Sequence, residues 1–168
     1  MAEAGLREHG EEELLWVNHF DLLPGDDSVQ TSHNAVSSGV GGGLTGLVIT
    51  STTKGDEAEG GGNKVVHMAV AVPPGYLVTG VRVGYELTSS NTHITQIRLA
   101  QVQDPPGSAT VLLDDSTAQT DPGPIHVDSS SARSDPRDGA LLLSLRVNFD
   151  DTADRIVVRS VGLHLVGR

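Results

Sequence analysis

Arg82, Arg98, Arg146 and Arg159 each stand partway along a stretch in which apolar and polar residues alternate, and nine of the eleven basic residues in the chain are arginine. A guanidinium is a planar fork of donors, which suits a carboxylate, an anion or a desolvated contact better than an ammonium does. Two uses follow. The four can pair with Glu86 and with loop aspartates as a solvated face, where each pair contributes little. Alternatively, if their segments are neighbours, they form a row across one sheet that faces a partner or an anion. Gly80 and Gly84 flank Arg82 on the same parity, so bare backbone on both sides of that guanidinium lets a ligand or another chain come close. Trp16, the single tryptophan, completes this set of candidate contact residues.

Seven histidines raise metal chemistry of the cupin-like kind, in which two or three histidines and a carboxylate hold an ion inside a double-stranded β-fold. The weak candidates are His67, His93 and His164. With His126 they lie on four separate segments, none in an H-x-H pair, and only His126 is followed closely by a carboxylate, Asp128. His67 and His164 share the polar parity of their strands, which leaves a composite site open. Asp150, Asp151 and Asp154, like Asp114 and Asp115, offer the oxygens that calcium collects in sixes to eights. Neither run has the EF-hand pattern, and Asp-rich turns also arise because Asp bonds its own backbone. No G-x-S-x-G, H-E-x-x-H or Walker sequence occurs, and the runs Gly41–Gly43 and Gly60–Gly62 lack the lysine-serine end of a phosphate loop. The absence of cysteine removes disulfides, thiolate nucleophiles and Cys-type zinc sites. The expectation is a protein with no resident cofactor, calcium in the acidic loops being the one alternative.

These residues have to be positioned by strands. Residues 63–87, NKVVHMAVAVPPGYLVTGVRVGYEL, alternate with period two on either side of a Pro-Pro-Gly stop, and they predict a β-hairpin with Leu77, Thr79, Val81, Val83, Tyr85 and Leu87 as the apolar face of its second strand. Residues 44–51, 92–102, 109–113, 139–149 and 155–166 read as further strands. Parity changes place β-bulges near Thr95-Gln96 and Arg159-Ser160. Residues 52–62 form a glycine-rich charged loop, and residues 114–138 are expected to be irregular, only 124–127 being able to pair. Eight or so strands with long crossing connections and no helix predict an all-β antiparallel sandwich of jelly-roll or Greek-key type. Val81, Val83, Leu143, Leu145, Val147 and Leu163 should share its core. Residues 1–43 are expected to be an extended or flexible arm with one short edge strand around residues 14–20, and residues 44–168 the sandwich domain.

A net charge of −11 repels phosphate backbones and argues against nucleic acid. Aromatic residues are only 3%, so stacking platforms are scarce. The acidic start lacks the basic segment and apolar run of a signal peptide, and no stretch reaches the roughly 18 apolar residues of a membrane span. The chain therefore reads as soluble, with no compartment assigned. Three functions fit: a non-catalytic sandwich that self-associates as a homo-oligomer through its arm, a module whose rim loops bind a carbohydrate or another small polar ligand with calcium assisting, and a metal-dependent enzyme. The sequence ranks them in that order.

Overall fold

The computed structural model describes residues 10–33 and 46–168. Residues 1–9 of the expected arm, and 34–45 with the Gly41–Gly43 run, lie outside the described residues. Among the described residues eleven strands make two antiparallel sheets: β1 (Glu13–Val17), β2 (Leu23–Pro24), β3 (Val29–Ser32), β4 (Leu47–Ser51), β5 (Val65–Val70), β6 (Tyr76–Leu87), β7 (His93–Gln103), β8 (Ala109–Asp115), β9 (Ile125–Ser134), β10 (Gly139–Asn148) and β11 (Ile156–Gly167). The first sheet runs β3-β4-β11-β6-β9, with β1 continuing the β4 side of β11; the second runs β2-β5-β10-β7-β8. Both sheets interleave strands distant in sequence, as a jelly roll does. Among the described residues no helix is long and apolar enough to cross a membrane.

The aliphatic parities meet between the sheets. Val81, Val83, Leu143, Leu145, Val147 and Leu163 are each 0% exposed, so the expected core is the observed one. The expected bulges also form. Thr95 is the extra residue where β10 changes register against β7, and Arg159 is the extra residue where β11 changes register against β6. A third irregularity, at Thr79, turns Val78 inward in place of Leu77.

Three expectations change. Residues 63–87 do form two strands, but β5 pairs with β10 and β2 while β6 pairs with β11 and β9. The Pro73-Pro74-Gly75 turn, with Gly75 at φ +94°, therefore carries the chain between sheets instead of closing a hairpin. Residues 114–138 are not mostly irregular, since β9 supplies ten residues to the edge of the first sheet. Its inward positions include Ser129 and Ser134, so it carries no apolar period to read. Lastly, the segment expected to be an arm contributes β1 against β11, β2 against β5 and β3 against β4. Leu15 and Val17 pack on the core and Leu22 and Val29 belong to it, so residues 13–32 are part of the sandwich.

The loop between β4 and β5 folds around Lys64. Its side chain is 0% exposed, and its Nζ donates to the carbonyls of Thr53, Lys54 and Gly55 at 2.6, 3.0 and 3.0 Å. Burial lowers the pKa of this ammonium, against the pull of Asp56, Asp26 and Glu59.

Candidate functional site

The outer face of the second sheet is where small, planar and charged side chains converge. Alternation along each strand sets which residues reach it, and the register sets who stands beside whom. Leu23 pairs with His67, His67 with Ser144, Ser144 with Arg98, and Arg98 with Asp114. One row thus crosses all five strands. Beside it run Ala69, Leu142 and Ala100 on one side, and Val65, Arg146 and Gln96 on the other. Ala69, Ala100 and Ser144 carry little bulk, so the middle of the face is low.

A wall rises at the β2 end. The chain leaves β1 through a single 3-10 turn, His19–Asp21, capped by Asn18, whose side chain accepts from the Phe20 amide at 3.2 Å. This turn sets the Phe20 ring beside the His19 ring, centroids 4.3 Å apart, and burial lowers the pKa of His19. Phe20, Asp21 and Leu23 then enclose, with His67, Leu142 and Ser144, a cleft of about 540 Å³. Phe20, Leu23 and Leu142 are three of the six large apolar side chains left exposed among the described residues. An apolar concavity edged by a few polar groups is the ordinary form of a small-ligand site.

Polar groups on the face are held in place before any ligand arrives. Arg98 meets Asp114 at 3.2 Å, and the Gln96 amide also donates to Asp114. Arg146 meets Asp56 at 2.8 Å, which ties the loop built on Lys64 to this face. The arrangement offers donors and acceptors in fixed places, and Ser144, though it stands beside His67, makes no hydrogen bond to it among those seen. It is suited to holding a polar molecule.

Arg98 and Arg146 therefore sit together on this surface, whereas Arg82 and Arg159 project from the first sheet on the opposite side. The expected row of four is split because β6 and β11 belong to one sheet and β7 and β10 to the other. Arg159 pairs with Glu86 at 2.8 Å in a largely buried bridge, and Arg82 makes a two-pronged contact with Asp128 at 2.8 and 3.0 Å. Trp16 is also on the first sheet, opposite Gly162. The composite metal site is not formed: His67 points out from the second sheet and His164 from the first, with the core between them, and His93 lies at the end of β7, bonded to the Asn91 carbonyl. Among the described residues no three histidines or carboxylates gather in a way that could hold a metal ion. Asp154 accepts from the Thr88 and Thr92 hydroxyls, and Asp151 from the Ala153 amide, so these two carboxylates have roles in the turn itself, while Asp150 is exposed beside them. Leu23, Leu142 and Ser144 line the cleft without having been singled out in the sequence, and His67, weighed there only as a weak metal candidate, joins them; only cross-strand register brings the four together.

No protein-family model matches the chain, and no curated protein matches it. Its fold is similar to that of several solved carbohydrate-binding modules. The CBM22-1 xylan-binding domain from Paenibacillus barcinonensis Xyn10C superposes with a TM-score of 0.56 at 12% identity, over 95% of this chain and 97% of that one. The CBM22-1 and GH10 modules of a Clostridium thermocellum endo-1,4-beta-D-xylanase, complexed with xylohexaose, give the same TM-score and identity over 95% of this chain, which spans 29% of that longer one. CtCBM11 superposes with a TM-score of 0.52 at 12% identity, over 97% of this chain and 98% of that one. At these identities the likeness is one of fold.

Proposed function

We propose that this chain is a non-catalytic module that binds a polyhydroxylated ligand, an oligosaccharide, in the cleft on the outer face of the second sheet. The observation that carries the reading is the five-strand row Leu23-His67-Ser144-Arg98-Asp114, low at its centre and walled by Phe20. A sugar ring presents C–H faces and a rim of hydroxyls. Phe20, Leu23 and Leu142 suit the first; His67, Arg98 and Asp114 suit the second by offering donors and acceptors side by side. The similar folds named for carbohydrate or xylan binding support this choice among polar ligands. Self-association drew its motive from a free arm, and β1, β2 and β3 find their strand partners within the chain.

Calorimetric titration of the full chain with xylo- and cello-oligosaccharides tests the reading. Ser144→Tyr fills the low centre of the row and should weaken binding at least tenfold while the melting temperature stays within a few degrees. Arg98→Ala should weaken it with similar selectivity. Binding unchanged in both variants removes the ligand from this face, and no binding of any sugar at millimolar concentration overturns the proposal.

A further inference from the structure

The opposite face carries a second arrangement that the cleft does not use. Register aligns Trp16 on β1, Gly162 on β11, Arg82 on β6 and Asp128 on β9 in one row across four strands. With strands about 4.8 Å apart, the row is about 14 Å long. Gly162 is covered by the side chains of its neighbours. A Cβ there would come within 2.8 Å of Leu14 Cδ1 and 3.3 Å of Trp16 Cε3, so the indole rests against bare backbone. Seated this way, it is still 57% exposed. A tryptophan fixed along one edge and open elsewhere is a platform, at little conformational cost, for a flat apolar surface.

The far end of the row is polar and rigid. Arg82 meets Asp128 through two hydrogen bonds, and His164 reaches Asp128 with Nε2 at 2.7 Å and Glu12 with Nδ1 at 2.5 Å. The Arg82 hydrogen bonds, with a lesser contribution from His164 and against some burial, hold the Asp128 carboxyl down to about 2. It is thus an acceptor at any ordinary pH. An arginine and an aspartate locked together present donor and acceptor edges with little net charge, and Glu12, beyond His164, adds a carboxylate to the same patch. That combination disfavours a phosphate, which needs an uncompensated cation, and the chain's charge of −11 disfavours anions further. What fits an exposed indole followed by a neutral donor-acceptor pair is a neutral sugar chain.

We propose that Trp16, Arg82 and Asp128 form a second glycan-binding surface, back to back with the cleft, so that one module grips two polysaccharide strands. The inference rests on the oligosaccharide reading and extends it. A module with sites on opposite faces cross-links strands and gains avidity on a dense polymer that either site alone does not give.

Trp16 is the only tryptophan, so its fluorescence reports this face; because the depression it lines shares Asp21, Met68 and Ala69 with the cleft, Ser144→Tyr is needed to separate the two signals. The experiment titrates the full chain with xylohexaose and cellohexaose, following calorimetric stoichiometry and Trp16 emission together in wild type, Ser144→Tyr, Arg82→Ala and Asp128→Asn. The expected result is two sugars per chain and a saturable emission change that survives Ser144→Tyr. Arg82→Ala and Asp128→Asn should each weaken that change at least fivefold and leave the calorimetric signal of the cleft in place. One site per chain with silent emission, abolished by Ser144→Tyr, overturns this second surface and leaves the cleft standing. One site whose emission change survives Ser144→Tyr supports the Trp16 surface and removes the cleft. No binding of either sugar overturns both. Melting curves of the Arg82 and Asp128 variants guard against loss of fold, and agreement between the two variants is required.

Discussion

Replacing Lys64 by methionine probes how far the cleft depends on a single buried cation. The ammonium donates to three carbonyls, and they are not equally dependent on it. The Thr53 oxygen also accepts from the Ser51 hydroxyl at 2.7 Å, and the Gly55 oxygen also accepts from the Phe149 amide at 3.1 Å. Lys54 O has no other donor among the hydrogen bonds seen. Losing the ammonium therefore orphans one part-buried carbonyl, at about 1–3 kcal/mol, and removes one of two donors from each of the others, at about 0.5–1.5 kcal/mol apiece. Burying the charge has its own cost, which is why the pKa of Lys64 is lowered, and methionine recovers part of it while filling the space. The net expectation is a loss of about 3 kcal/mol, equivalent to a fall of about 6–12 °C in melting temperature for a domain of this size. Lys64→Ala adds a cavity and should lose more. Urea denaturation supplies the free energy. Because Asp56 in the same loop holds Arg146 on the same face, in the row next to the one that carries the cleft, sugar affinity should fall in the Met variant even at temperatures where it is fully folded. A Met variant within about 0.5 kcal/mol of wild type would show that the loop orders itself without the ammonium and that the cleft does not depend on Lys64.

Leu145→Ala, at the centre of β10, should lose about 2–5 kcal/mol in chemical denaturation; a thermally neutral variant contradicts the register given for that strand. Arg159→Ala should cost about 3–5 kcal/mol because it leaves Glu86 charged and buried, the two side chains being 14% and 7% exposed, whereas Arg159→Met with Glu86→Leu should recover most of the loss; additive effects in this double-mutant cycle count against the bridge. Deleting residues 1–43 removes β1, β2 and β3, so the truncated chain should fail to give a cooperative unfolding transition by circular dichroism; a sharp transition near that of the full chain would return those strands to the status of an arm. Asp128 is held near 2 against 3.8 in the unfolded chain, so its contribution is present above about pH 4 and lost as pH falls toward 2. The side chain is 43% exposed, and solvent screening keeps that contribution to about 1 kcal/mol or less. Wild type and Asp128→Asn should differ most near neutrality and converge near pH 2; parallel curves would contradict the assignment.

Period-two alternation was enough to find β5, β6, β7, β10 and β11, and parity changes were enough to place the bulges at Thr95 and Arg159. Alternation states that a segment is a strand and which side chains share a face, not which strand lies beside it. The connection over residues 71–75 looks like a hairpin turn in sequence because a turn within a sheet and a crossing between sheets both use proline and glycine. The same ambiguity placed Arg82 and Arg146 in one row. β9 was mostly missed for a different reason: an edge strand covered by little apolar surface can be built from Asp, Ser and Arg, and DSSSARS has no hydrophobic period. The cleft was legible only in pieces. Arg98, Arg146 and the segment holding Phe20 could be marked as outward or interactive, but His67, Ser144 and Leu23 become a row only when β2, β5, β10 and β7 are placed in order.

The aromatic content of the chain bears on how such a module works. Phe149 and Tyr85 are spent in the core and Tyr76 packs half-buried against it, which leaves the cleft with Phe20 and the opposite face with Trp16. Each sugar surface then has one aromatic anchor, worth about 1–3 kcal/mol if it behaves as base stacking does. The polar groups are already paired with one another, Arg98 with Asp114, Arg146 with Asp56 and Arg82 with Asp128. A hydroxyl arriving at such a pair adds to a satisfied network and gains less than it would at an unpaired charge. The same pairing keeps the side chains ordered, so little entropy is lost on binding. Both effects point to weak, fast-exchanging contacts at each face, with retention on a polymer coming from the number of contacts made at once. Affinity for an insoluble polysaccharide should therefore exceed that for a hexasaccharide by a factor of ten or more, and variants that disable either face should lose most of that excess while keeping the hexasaccharide affinity of the other. Equal affinity for polymer and hexasaccharide in the wild-type chain would mean that only one face binds.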